Sequence, residues 1–115
     1  MYVVVQHTFL NPAEAFPRGE KLIKNEGAPE GTTGLQFYPA LDGSGATCLW
    51  ESNSVTDVQR YVDNTLGDSS RNHCYEADAA NAFARQPLGI AERSALVRIS
   101  PLIPAFPRTR ARGTR

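Results

Sequence analysis

Val3-Val4-Val5-Gln6-His7-Thr8-Phe9 runs almost directly into Asn11-Pro12, and this passage from strand to helix decides how the chain is read. Three β-branched residues in a row, followed by alternation, favour an extended strand. Asn11 then offers a capping side chain, Pro12 suits the first helical position, and Glu14 completes a capping-box pattern. The same succession returns further on. Leu35-Gln36-Phe37-Tyr38 turns through Asp42-Gly43 into Ala46-Thr47-Cys48-Leu49-Trp50-Glu51, and a second helix opens at Ser54. His73-Cys74-Tyr75-Glu76 supplies a last short strand. The resulting order, β-α-β-β-α-β, is that of a split β-α-β unit.

The first helix meets Pro17, which removes a backbone donor and crowds the preceding turn. The segment is therefore read as kinked, or as a turn followed by a helix from Pro17 to the neighbourhood of Glu26. Gly27 and Pro29 end it, and Phe16, Leu22 and Ile23 form its buried side. The second helix is placed at about 55–66: Ser54 caps it, Val55, Val58, Tyr61, Val62 and Leu66 recur at helical spacing, and Gly67 stops it. A short third helix is expected from Asp78 through Arg85, anchored by Phe83, and a further strand at 94–100. Pro101, Pro104 and Pro107 then forbid regular structure.

One domain, residues 1–87, and an extension, residues 88–115, follow from the length and from the charge. Residues 1–87 are net −5, whereas residues 88–115 carry six arginines against Glu92 and are net +5. The arginine-rich end, Arg108 to Arg115, has no apolar periodicity and is read as a disordered, solvated tail. Without interleaved aromatic residues it is a weak footprint for nucleic acid, which is not an expected partner. No apolar run approaches the roughly 20 residues a membrane-spanning helix needs. With no basic region ahead of the first strand, a cytoplasmic protein is expected. Cys48 and Cys74 lie in separate strands without a CxxC spacing, so they read as buried reduced thiols.

Alternation sorts the strand residues into two faces. Val3, Val5, His7, Phe9, Leu35, Phe37, Cys48 and Trp50 form the more apolar set, expected beneath the helices. Tyr2, Val4, Gln6, Thr8, Gln36, Tyr38, Thr47, Leu49 and Glu51 form the other, too apolar to face water alone. Two such sheets packed face to face would cover it, so a homodimer is expected.

In element order and face patterning, residues 1–87 resemble the dimeric α+β barrel superfamily. Its subunits are ferredoxin-like βαββαβ folds with an antiparallel sheet. The resemblance implies a small-molecule-binding protein. Known members include cofactor-free monooxygenases acting on aromatic or polyketide-like substrates, lactone isomerases, polyketide cyclases and haem-degrading enzymes. The monooxygenases commonly pair a Glu-x-Trp at the end of the third strand with a histidine in the following helix. Here Cys48-Leu49-Trp50 and Gln59 stand instead, which weighs against oxygenase and haem chemistry. Cys48-Leu49-Trp50-Glu51-Ser52 is also similar to the strand-to-helix junction of small ferredoxin-like proteins described as nickel-responsive.

Two constellations follow. In the first, His7, Phe37, Trp50 and Tyr75 wall an apolar pocket between sheet and helices. There His7 is the catalytic residue, acting as a general base or orienting a phenol or quinone, no cofactor is needed, and the other three bind the small aromatic ligand. In the alternative, His7, His73, Glu51 and Glu76 offer nitrogen and oxygen ligands to nickel or zinc in a metal-responsive protein without catalysis. No two of these sit at a compact ligand spacing, so the fold would have to assemble them. A one-residue slip would reverse the faces of His73 and Tyr75, so sequence leaves their side open. Gly43-Ser44-Gly45 reads as a hairpin turn rather than a phosphate-binding loop.

Overall fold

The computed structural model describes residues 1–85. It is α+β. Strand β1 (Tyr2–Phe9) leads into helix α1 (Pro12–Ile23). Strands β2 (Thr33–Pro39) and β3 (Gly45–Glu51) form a hairpin, and helix α2 (Val55–Leu66) and strand β4 (Ser70–Glu76) complete the unit. The four strands make one open sheet in the order β2-β3-β1-β4, every neighbouring pair antiparallel. Because β3 opposes both β1 and β2, those two run parallel on either side of it. This compact unit spans Met1–Ala82, and a second begins at Phe83. The expected strand at 94–100 and the arginine-rich tail lie outside the described residues.

Helix α2 forms where its periodicity put it. Ser54 Oγ accepts the backbone N–H of Asp57 at 3.0 Å, and Val58, Tyr61, Val62 and Leu66 are buried along one stripe. Gly67 leaves the helix with φ 56°, a left-handed value that glycine adopts without Cβ strain.

Helix α1 departs from expectation. It continues through Pro17 to Ile23, since losing one internal hydrogen bond does not outweigh the packing of its buried Ala15 and Leu22. Phe16, expected inside, is 40 % exposed. The capping box does not form either. The Asn11 side chain makes no cap bond, and Glu14 pairs with Arg18 at 2.6 Å. After β4, Asp78 caps a single turn at residues 79–81 in place of the expected third helix, its carboxylate accepting from Ala80 N and Asn81 Nδ2.

The helix side of the sheet carries the core. Val3, Val5, Leu22, Cys48, Trp50, Val58, Tyr61, Val62, Leu66 and Cys74 form one buried cluster, with Phe37 packed at its margin. Strand β2 joins it irregularly. Gly34 pairs with Trp50 and Gln36 with Leu49, so Leu35 is an extra, bulged residue. Leu35, expected beneath the helices, is therefore 45 % exposed. Gly34 takes the inward place, where a Cβ would lie 3.3 Å from the Trp50 ring.

Candidate functional site

His7 sits late in β1, between Ala46 of β3 and Asn72 of β4, with its side chain toward the helices. It is 6 % exposed. Each ring nitrogen has a partner: Nδ1 lies 2.7 Å from Asn72 Oδ1, and Nε2 lies 3.1 Å from Cys48 Sγ. Behind Asn72, its Nδ2 donates to Asp63 Oδ1 at 2.9 Å, and Ser70 Oγ donates to its Oδ1 at 2.6 Å. Gln59, one turn before Asp63 on α2, donates to both oxygens of that carboxylate.

These bonds fix proton positions. A carboxylate only accepts, so Asn72 turns its NH2 toward Asp63 and its oxygen toward His7. His7 Nδ1 must then carry the hydrogen, which leaves Nε2 bare to accept the Cys48 S–H. Burial holds the imidazole below its ordinary pKa of 6.5, against smaller opposing pulls from the Asn72 bond and the Asp63 charge. Burial likewise pushes the Cys48 thiol up to about 12. The resting pair is thus neutral thiol and neutral imidazole, not the thiolate–imidazolium pair of a cysteine nucleophile. Both cysteines are free and buried, as the sequence reading had them.

An aromatic track leaves this point. Phe9 stacks on His7 with ring centroids 5.8 Å apart, and Phe16 meets Phe9 edge-on at 5.1 Å. Phe9 is half-buried and Phe16 reaches the surface.

The structure divides the expected pocket wall. His7, Phe37 and Trp50 lie on the helix side. Tyr75 pairs with Val4 and lies on the opposite face, where its ring is 5.8 Å from that of His73. Trp50 is 2 % exposed, with Tyr61 edge-on at 5.7 Å and Gly34 against its ring, so it is a core residue here. Its indole Nε1 is buried.

The metal set is divided as well. His7 and Glu76 belong to the helix-side register and His73 and Glu51 to the other. Among the described residues, no three histidine, cysteine or carboxylate side chains are grouped to hold a metal ion. An open cavity of about 470 Å³ between α1 and α2, lined in part by Lys21, Glu26, Asp57, Arg60 and Tyr61, contains none of the expected site residues.

Asn72 and Cys48, which bond His7, and Asp63, which bonds Asn72, are the residues of this site that sequence reasoning missed. The period of two puts Cys48 on the helix-side face, but only the β1–β4 register reveals Asn72 opposite His7. No family model matches the chain, and comparison with curated proteins and with solved structures returned no match. Among the described residues, no helix is long and apolar enough to cross a membrane.

Proposed function

We propose that the chain is a ferredoxin-like subunit that pairs with a second copy through the helix-free face of its sheet, as a dimeric α+β barrel, and that each subunit binds a small aromatic molecule against His7. Strands β1 and β2 parallel around β3 support the ferredoxin-like reading. Exposed Tyr2 and Tyr75 beside half-buried Val4, Tyr38 and Leu49 support the pairing, since burying such a patch is favourable.

The observation that carries the ligand reading is the ring track from buried His7 through Phe9 to exposed Phe16. A flat phenol or quinone laid against Phe16 and Phe9 joins the outer end of this track, and its oxygen reaches the imidazole only if the Phe9 ring moves aside. When the Cys48 thiol turns aside, bare Nε2 takes the substrate's proton as general base and returns it at another atom. Moving one proton in this way is the central demand of a cofactor-free isomerisation or cyclisation.

The test is an NMR titration with naphthol and, separately, naphthoquinone. Changes confined to the ring signals of His7, Phe9 and Phe16 are expected. No change with either compound, or changes centred on the Lys21–Arg60 cavity, sinks the ligand reading. Sedimentation equilibrium tests the pairing separately; a monomer mass at all concentrations removes it.

A further inference from the structure

We propose that Asp63 is a positioning residue for His7: acting through Asn72, it fixes the imidazole as its Nδ1–H tautomer and keeps Nε2 bare on the side of Cys48. The role in proton transfer rests on the reading of His7 as a general base; the tautomer itself does not.

Two groups contact the Asn72 side chain besides His7, and only one of them can dictate its orientation. The Ser70 hydroxyl, 2.6 Å from Asn72 Oδ1, can donate or accept by rotating its hydrogen. The Asp63 carboxylate, 2.9 Å from Asn72 Nδ2, can only accept. Turning the amide over would set its oxygen against that carboxylate, two acceptors with no hydrogen between them. The carboxylate is itself held: Gln59 Nε2 reaches its two oxygens at 3.2 and 3.1 Å and also donates to the Asn72 carbonyl at 2.9 Å. Orientation thus passes from a carboxylate to an amide to an imidazole. Which imidazole nitrogen keeps its hydrogen follows from the bond the other ring atom makes.

The arrangement has a functional consequence. An Nε2–H tautomer would present a donor toward Cys48 and toward any bound molecule, and could not act as a base there. Asp63 therefore decides whether the inner nitrogen accepts or donates without touching the ring. It is exposed on the surface of α2, so it can be replaced without opening the core.

Nitrogen-resolved NMR of the ligand-free protein at neutral pH reads the His7 tautomer directly. The unaltered chain should be almost wholly Nδ1–H. In Asp63→Ala the amide is free to turn, and the Nδ1–H fraction should fall to half or less. Ser70→Ala should leave it unchanged. An unaltered chain already in the Nε2–H form, an Asp63→Ala spectrum identical to it, or a Ser70→Ala shift as large as that of Asp63→Ala would each overturn the proposal. Because no ligand is present, this failure is separable from a failed naphthol or naphthoquinone titration.

Discussion

The two faces of the sheet are built from the same strands, yet they meet different fates. Toward the helices, Val3 and Val5 are fully buried and Trp50 nearly so. On the opposite face, Tyr2 is 42 % and Tyr75 43 % exposed. Hydrophobicity alone does not separate them, because the outer face also holds Val4, Tyr38 and Leu49. What separates them is that α1 and α2 pack on one side only. The two histidines follow suit: His7 is dry and bonded at both nitrogens, whereas His73 is exposed beside Tyr75. An apolar residue on this sheet is thus a core residue or an interface candidate according to its register, and a one-residue slip would exchange the two.

Perturbing each face should break this symmetry in graded steps. Trp50→Ala removes the largest core side chain and should cost roughly 3–5 kcal/mol in denaturant unfolding, as large-to-small core changes do. A loss below 1 kcal/mol would mean the ring is not a core element. Gly34→Ala puts a methyl 3.3 Å from that ring. Overpacking of this kind should cost about 1–3 kcal/mol, and an unchanged midpoint would show that the bulge yields freely.

Acid should act through His7. Its folded pKa lies below the unfolded value of 6.5 because of burial, so the unfolded chain binds the proton first as pH falls. The stability associated with neutral His7 is complete above 6.5 and drains away as pH drops from there through the folded pKa. Urea midpoints measured across that window should decline in the unaltered chain and stay flatter in His7→Gln. Tyr75→Ala should change the stability of the isolated fold least, by no more than about 0.5 kcal/mol. On the pairing reading it should nonetheless lower the sedimenting mass, and a dimer that persists unchanged would place the interface elsewhere.

Much of the fold was legible because its signals are local. The β1 alternation, the Ser54 cap and the stripe through Val58 and Leu66 each act within a few residues. Helix α1 was less so, since whether Pro17 interrupts it depends on the contacts of Ala15 and Leu22 rather than on proline alone. The β2 bulge was invisible: it answers to the Trp50 ring, a tertiary neighbour, and turned Leu35 outward against the alternation. At the site, sequence singled out His7 on its chemistry. It missed Asn72 and Asp63 because their pairing runs across β4 and back to α2, through distances only the register creates. It grouped Tyr75 with His7 and Trp50, and His73 with His7, for the same reason; the strand pairing sets each of those groups on two faces.

The margins of the sheet carry a last consequence. Along β4, the Gln59 amide accepts the Cys74 N–H and donates to the Asn72 carbonyl, standing in for the backbone of an adjacent strand. Along β2, Asn25, itself in a left-handed conformation at φ 60°, accepts the Gly34 N–H through its side chain and donates to the Thr32 carbonyl. The Leu35 bulge and Pro39, which has no N–H, interrupt the rest of that margin. A passing extended chain finds some of its docking atoms already taken at both borders, which works against fibril-like growth by lateral strand recruitment.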